Sequence, residues 1–119
     1  MKVEIRITSN FSNRAKPLIK KYPSLIIELE SLEKDLLDNP KMGTPLGSDS
    51  YKIRLSIKSK GKGKSGGARV ITYVHGEIVG TIERSADGKT TVYLLTIYDK
   101  SDTAAISTKE LNELINKKD

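Results

Sequence analysis

Apolar and polar residues alternate in several short segments of this chain, and each such segment predicts a β-strand. Residues 3–7, 51–57 and 69–74 all alternate, with mainly apolar or β-branched side chains on one face and mainly charged, polar or aromatic side chains on the other. The segment TVYLLTIY, residues 91–98, is almost continuously apolar or β-branched. Such a run is typical of a strand in the interior of a sheet.

A different spacing predicts two helices near the N-terminus. Leucines at positions 25, 29, 32 and 36 recur every three or four residues, which predicts an amphipathic helix over Ser24–Asn39. A shorter helix is expected over Asn13–Tyr22, with Pro17 tolerated only in or near its first turn. The segment KMGTPLGSDS, residues 41–50, is interpreted as a loop.

A last, short helix is indicated near the C-terminus. Ser107 and Glu110 have the spacing of a capping box, and Ile106 and Leu111 have that of a hydrophobic staple. The preceding region is harder to interpret: Ile78–Ile82 is compatible with a strand, and Asp87-Gly88 is a turn signal.

The order of these elements predicts an α+β fold in a single domain of residues 1–119. We expect a mostly antiparallel sheet of four or five strands, with two N-terminal helices and a short C-terminal helix packed on one face.

Charge adds a functional feature to this scaffold. The segment 51–74, here called the basic hairpin, contains seven basic residues and no acidic one, which leaves 14 basic against 15 acidic residues elsewhere. Lys52, Arg54 and Arg69 are expected to share one open, solvent-facing side of it, where like charges destabilise the sheet unless an anion binds. The connection between its strands is glycine-rich and is expected to be mobile. Its lysines are candidates for following a phosphate backbone: Lys58, Lys60, Lys62 and Lys64.

Composition excludes several other chemistries. The chain has one histidine, His75, and no cysteine, so ligands for a zinc site and a two-histidine ribonuclease mechanism are lacking, and no metal or cofactor is expected. GKGKS lacks the first glycine of a phosphate-binding loop, since Lys58 stands there. No apolar run approaches a membrane span, and the N-terminus does not resemble a signal peptide, so a cytoplasmic location without membrane contact is expected.

Cations and hydroxyls remain, and these can act on RNA. The 2′-hydroxyl of RNA can attack the neighbouring phosphate if a protein orients it and stabilises the added negative charge. Arginine suits this role because its guanidinium forks onto phosphate oxygens. The residues by themselves favour simple electrostatic binding of a nucleic acid over catalysis, and both readings stay open at this point.

Three segments together resemble the RelE/HigB toxins of bacterial type II toxin–antitoxin modules. They are YKIRLSIKSKGKGKSGGARVITY, VYLLTIYDKS and ISTKELNELI. An NP-x-x-G-x-x-L run also resembles the loop before the first hairpin strand of that family (Asn39, Pro40, Gly43, Leu46). The resemblance implies a small RelE-like α+β ribonuclease that cuts mRNA in the ribosomal A site without a metal.

The resemblance also implies roles for individual residues. Lys52 and Arg54 match the basic pair of the first hairpin strand, and Arg69 matches the arginine that contacts the scissile phosphate. Lys100 matches the basic residue after the last strand. The implied partners are the ribosome, mRNA and a cognate antitoxin of the helix-turn-helix type. Operator DNA would be contacted only through that antitoxin.

Two departures from the family pattern leave alternatives open. Some relatives carry a catalytic tyrosine after the last strand, but Ser101–Ser107 contains none, so Tyr98, Tyr73 or a lysine would have to transfer the proton. The segment 76–91 is also longer than in compact relatives. A non-catalytic toxin of the gyrase-inhibiting ParE type, or an inactive antitoxin-binding module, is therefore the alternative to a ribonuclease.

Overall fold

The structure is a computed structural model that describes residues 2–61, 66–76, 89–102 and 105–119. The elements in chain order are β1 (Lys2–Ile7), α1 (Ser9–Lys21), α2 (Leu25–Asp38), β2 (Thr44–Gly47), β3 (Ser50–Leu55), β4 (Ala68–Gly76), β5 (Lys89–Asp99) and α3 (Thr108–Asn116). The predicted α+β class, with two N-terminal helices and a short C-terminal one, is confirmed.

The described strands form one five-stranded sheet in the order β1-β5-β4-β3-β2. The sheet is mixed: β1 runs parallel to β5, whereas the other three pairings are antiparallel. β5 lies between β1 and β4, as its continuous apolar sequence predicts. The parallel pairing arises because α1 and α2 carry the chain from β1 across the sheet before β2 begins.

Both faces of the sheet are covered, which corrects the prediction that all helices pack on one side. Val70 and Val74 of β4 belong to a buried cluster with residues of α1 and α2. Ile71, between them in sequence, packs instead with Leu111 of α3. Successive strand residues point to opposite faces, so α3 lies on the face opposite α1 and α2. We call these the α1/α2 face and the α3 face.

A bulge in β5 decides which residues reach the α3 face. The pairing of β4 with β5 shifts so that Ile71 opposes Thr96 while Thr72 opposes Leu94, leaving Leu95 as an extra residue. Leu95 and Tyr98 are three positions apart and would face opposite sides of a regular strand. Both instead contribute to the cluster beneath α3. The bulge therefore brings Tyr98 onto the α3 face.

The N-terminal helices match the predictions unequally. α2 agrees, with Ser24 and Asn39 as its flanking caps. α1 begins at Ser9, four residues before the predicted start, because the Thr8 hydroxyl accepts a hydrogen bond from the Phe11 N–H and caps the helix. Pro17 consequently lies in the helix interior on an exposed position, and its predicted place in the first turn is wrong.

The predicted loop at residues 41–50 contains a short edge strand. β2 pairs with β3 through a tight turn whose two central residues, Ser48 and Asp49, have φ values of 53° and 58°. Positive φ at both positions is typical of a two-residue hairpin turn. Pro45 is accommodated because β2 lies at the edge of the sheet.

Several sequence predictions lie outside the described residues. These are the strand Ile78–Ile82, the Asp87-Gly88 turn and the lysines Lys62 and Lys64. Among the described helices, none combines the length and apolar character needed to cross a lipid bilayer.

Candidate functional site

A row of three polar side chains crosses the three inner strands on the α3 face, near the end of the sheet where β3 and β5 finish and β4 begins. In the strand register, Arg54 of β3 lies directly opposite Arg69 of β4, and Arg69 lies directly opposite Tyr98 of β5. Directly opposed residues project from the same face of a sheet. We call Arg54, Arg69 and Tyr98 the cross-strand row.

Lys52 lies on the same face, two residues before Arg54 and opposite Ile71. The alternation in the sequence therefore grouped Lys52, Arg54 and Arg69 as the register does. Their environments differ, however. Arg54 is exposed, Lys52 is half-buried, and Arg69 is only 4% exposed.

The expectation of an open, solvent-facing Arg69 is wrong: its side chain is buried, on the face of the sheet on which α3 packs. Leu111 of α3 contacts the cluster of Ile71 and Leu95 beside the row. Arg69 donates a hydrogen bond from Nη1 to the carbonyl oxygen of Ala68 at 3.1 Å. The Arg69 side chain is thus buried, and the exposed Arg54 guanidinium is the outer member of the row.

Tyr98 is the inner member of the row. Burial raises the pKa of its hydroxyl, the positive charge of Arg69 opposes that effect, and the carboxylate of Glu110 on α3 adds to it. The hydroxyl oxygen is buried and has no hydrogen-bond partner among the described residues. A phenol with a raised pKa is protonated at neutral pH, so Tyr98 can donate a hydrogen bond or a proton beside Arg69.

Tyr73, the other tyrosine considered from sequence, belongs to a separate group. Its ring lies 6.0 Å from that of Tyr93 and 6.5 Å from that of His75. The Lys118 ammonium lies 5.0 Å from the centre of the Tyr73 ring. Four strand residues, roughly 13 Å, separate Tyr73 from Arg69. The structure therefore brings Tyr98, and not Tyr73, next to the buried arginine.

Lys100 lies just past the end of β5. Its backbone N–H donates to the carbonyl oxygen of Gly67 at 3.0 Å, and its side chain is exposed. This bond ties the residue to the turn before β4, two positions from Arg69. The hydrogen bond therefore fixes the backbone of Lys100 at the end of the β4–β5 pair, and its ammonium lies in solvent.

The prediction of a mobile lysine connection is wrong for Lys58 and Lys60. Both belong to a single 3₁₀ turn, Lys58–Lys60. The Lys58 N–H donates to the Glu28 carboxylate at 2.6 Å, and the Ser59 N–H donates to the Ser24 hydroxyl at 2.9 Å. The start of the connection is thereby attached to α2.

Lys60 is also unavailable as a surface cation. Its ammonium forms an ion pair with Asp99, and the two side chains are only 8% and 2% exposed. It donates a further hydrogen bond to the Ser101 hydroxyl at 2.8 Å and lies 5.7 Å from the centre of the Tyr22 ring. Lys60 thus joins the basic hairpin to the end of β5.

Asp99, the partner of Lys60, was not singled out from the sequence. Burial alone would raise its carboxyl pKa, but hydrogen bonds from Lys60, the Ser101 N–H and Tyr22, together with the Lys60 charge, lower it overall. In the sequence, Asp99 stands out only as an aspartate at the end of an apolar strand, and an aspartate in that position is commonly exposed to solvent. The pair fixes the strand ends that carry Arg69 and Lys100.

A cavity of about 290 Å³ lies beside the inner end of the cross-strand row. Its walls are α1, α3 and the part of β5 that continues past the end of β1. Tyr98 lines it together with Asn10 and Arg14 of α1 and Glu113 of α3. Sequence reasoning missed this cavity because α1 and α3 are distant in the chain and their packing has no local signature.

A comparison of the chain with models of known protein families finds no match. Within the part of the chain that the structure describes, no group of three or more histidine, cysteine, aspartate or glutamate side chains is placed to hold a metal ion.

Proposed function

We propose that this chain is the toxin of a type II toxin–antitoxin module, acting as a metal-independent endoribonuclease that cleaves mRNA in the ribosomal A site. The observation that carries the proposal is the cross-strand row. Two arginines stand directly opposite each other and a protonated tyrosine follows on the next strand. Directly opposed residues lie close enough for both side chains to contact one phosphodiester, whose oxygens suit the forked donors of arginine.

The row can support transfer of a phosphodiester to the neighbouring ribose. The 2′-hydroxyl gives its proton to solvent water as its oxygen attacks phosphorus, and the bond to the 5′-oxygen breaks. The products are a 2′,3′-cyclic phosphate and a 5′-hydroxyl end. Arg54 and Arg69 would stabilise the charge that develops on the phosphate oxygens. Tyr98 would donate the proton that the departing 5′-oxygen requires. Lys52 and Lys100 would add positive charge on either side.

Binding of the ribosome is proposed for three lysines of the connection between β3 and β4. Lys58 is exposed on the 3₁₀ turn, and Lys62 and Lys64 follow it in the sequence. These side chains would follow a phosphate backbone and contribute affinity without reacting. Lys60 is left out of this group because its ammonium is held by Asp99.

An antitoxin is the proposed protein partner, and α2 offers a surface for it. Ile26 and Ile27 near the start of this helix are 49% and 68% exposed, and Leu37 near its end is 50% exposed. Large exposed apolar side chains on one element are typical of interaction surfaces. The setting we propose is the cytoplasm, where the ribosome and the antitoxin are both present.

Induction in bacterial cells tests the proposal. We expect the wild-type chain to arrest growth and to produce new mRNA 5′ ends within translated codons. Arg54→Ala should do neither, whereas Arg6→Ala, which removes an exposed arginine from β1, should behave as wild type. Growth arrest with intact mRNA and impaired DNA supercoiling would contradict the proposal and favour the gyrase-inhibiting alternative. Absence of arrest with all three chains would favour an inactive antitoxin-binding module.

A further inference from the structure

β1 lies at an edge of the sheet and has a neighbour on one side only among the described strands, namely β5. Directly after β1, the Thr8 N–H donates to the carbonyl oxygen of Leu94 in β5 at 3.3 Å. The backbone groups of successive strand residues point to opposite edges of the strand, so those of Val3, Ile5 and Ile7 point away from β5. Such outward donors and acceptors are the groups with which a further strand would pair.

The side chains of β1 separate into an apolar face and a charged face. Val3 and Ile5 pack against the core on the α1/α2 face, and Ile7 follows on that face but is 50% exposed. Glu4 and Arg6 project from the α3 face. Arg6 Nε lies 3.1 Å from Glu4 Oε1, and the two side chains are 54% and 41% exposed. An exposed apolar side chain and an exposed pair of opposite charges thus border the same edge.

A second copy of β1, placed antiparallel at this edge, matches the first in one register. With Ile5 opposite its own copy, Val3 lies opposite Ile7, so apolar residues face apolar residues. Glu4 then lies opposite Arg6, so each charge faces its opposite. The residues with outward backbone groups form the hydrogen-bonded pairs, and Glu4 and Arg6 form the pairs whose side chains lie closer together.

The neighbouring registers are unfavourable. A shift of two residues in one direction places Glu4 opposite its own copy, and the same shift in the other direction does so for Arg6. Like charges directly opposite each other destabilise a strand pair. A shift of one residue places charged residues opposite apolar ones and separates the matching backbone groups. Charges at a sheet edge usually prevent pairing, but their order in β1 permits one pairing.

We propose that the chain forms a symmetric dimer in which two β1 strands pair antiparallel about Ile5 and join the two sheets into one. The interface is self-complementary, as a twofold axis requires. Glu4 and Arg6 of both copies form a ring of alternating charge, in which each carboxylate has one guanidinium on its own strand and another opposite. Exposed charges of this kind contribute little affinity and chiefly fix the register.

The dimer does not depend on the proposed ribonuclease function. Arg54 and Arg69 lie on β3 and β4, which β5 separates from β1. The interface therefore shares no residue with the cross-strand row. Arg6→Ala is accordingly expected to weaken the dimer and to leave cleavage unchanged.

Sedimentation velocity on the untagged full chain tests the dimer. A single strand pair is a small interface, so we expect a reversible monomer–dimer equilibrium between about 1 µM and about 1 mM protein. Glu4→Arg and Arg6→Glu each place like charges opposite each other across the axis. Either substitution alone should weaken association by at least about tenfold.

Charge exchange separates this pairing from other modes of association. The double variant Glu4→Arg/Arg6→Glu keeps the net charge and should dimerise as wild type does, because each charge again faces its opposite. An equal mixture of the two single variants should form heterodimers for the same reason. Glu30→Arg, at an exposed position of α2, changes the net charge as Glu4→Arg does and should dimerise as wild type.

Three results would overturn the inference. The first is a wild-type chain that stays monomeric over the whole range, which would leave the β1 edge for a strand of another protein. The second is association that the single variants do not weaken, which would indicate a different surface. The third is a double variant that folds, as its circular dichroism spectrum shows, but does not associate.

Discussion

Arg54 and Arg69 are like charges held opposite each other on neighbouring strands, and only one of them reaches solvent. Opposed like charges in a sheet lose about 0.2–1 kcal/mol relative to a neutral pair. Arg69 is buried, so water screens its charge less than that of the exposed Arg54. Two guanidiniums on directly opposed positions can both contact one phosphate, which is the physical reason for assigning the pair a function.

The two arginines should therefore respond differently to truncation. Arg69→Ala is expected to lower the free energy of unfolding by about 1–3 kcal/mol, because it removes a packed side chain and its hydrogen bond to Ala68. Arg54→Ala should leave stability within about 0.5 kcal/mol of wild type, because the side chain is exposed. Urea unfolding curves compare the two directly. Equal stability of both variants would contradict the buried position of Arg69.

The Lys60–Asp99 pair gives a second prediction at this scale. Lys60→Met leaves a buried carboxylate without its cation and should cost about 3 kcal/mol. Lys58→Met is the matched control, since it lies in the same 3₁₀ turn but has an exposed side chain. Thermal melts that show equal loss for both variants would contradict an ion pair specific to Lys60.

The same pair predicts how stability depends on pH. The folded state lowers the pKa of Asp99, so at acidic pH the unfolded chain binds more protons than the folded one. The contribution of the pair should be complete at neutral pH and should be lost as pH falls below about 4, the ordinary aspartate range. Lys60→Met should reduce this loss between pH 5 and pH 2, measured by unfolding at each pH. If the free energy of unfolding depended on pH in the same way in the variant and in wild type, this assignment to Asp99 would be contradicted.

The sequence predicted which basic residues share a face with the cross-strand row, but not how deeply each of them is buried. Alternation identifies the residues that share a face, so Lys52, Arg54 and Arg69 could be grouped without a structure. Burial of Arg69 could not be predicted, because alternation shows which residues share a face and not how much of that face is covered. Lys58 and Lys60 looked alike in a glycine–lysine run, and only the position of Asp99 separates them.

At the scale of elements, a helix boundary could be predicted where the residues that mark it are close together in the sequence. The Ser107–Glu110 capping box was predicted from a three-residue spacing and is present with both of its hydrogen bonds. Ile106 and Leu111 also meet in the cluster under α3, as a hydrophobic staple requires. β2 was missed because its four residues include proline and glycine, which favour loops everywhere except at a sheet edge.

The cap of α3 provides a prediction for this element. Ser107→Ala should destabilise the helix by about 1 kcal/mol, because the Glu110 N–H loses its acceptor. Amide hydrogen exchange across residues 108–116 should become faster. Thr108→Ala, at the next position, should have a smaller effect because the cap hydrogen bonds involve Ser107 and Glu110 only. Equal acceleration in both variants would contradict a specific role for the cap.

At the scale of the whole molecule, three features that involve distant parts of the chain determine where the cross-strand row and the cavity lie. The parallel addition of β1 next to β5 ends at Ile7, which leaves the later part of β5 available to line the cavity. The bulge at Leu95 rotates Tyr98 onto the α3 face. α3 then covers that face. An α+β class follows from the order of elements, but none of these three features has a pattern within a single segment.

The charge of the whole molecule is also unevenly distributed. The chain carries a formal charge of +6, and outside the basic hairpin acidic and basic residues nearly balance. Most of the positive potential is therefore expected around one edge of the sheet, where it would attract a polyanion before close contact forms. The cross-strand row lies within this region, so attraction and chemistry would act at the same place.

The central claim is that the cross-strand row cleaves ribosome-bound mRNA, and a single-turnover measurement tests it most directly. Purified chain would be mixed with saturating ribosomes carrying an end-labelled message and a vacant A site. We expect wild type and Arg6→Ala to cleave at the same rate, and Arg54→Ala to be about 10²- to 10³-fold slower, as for loss of one transition-state donor. A wild-type chain that leaves the message intact, or an Arg54→Ala rate equal to wild type, would contradict the claim.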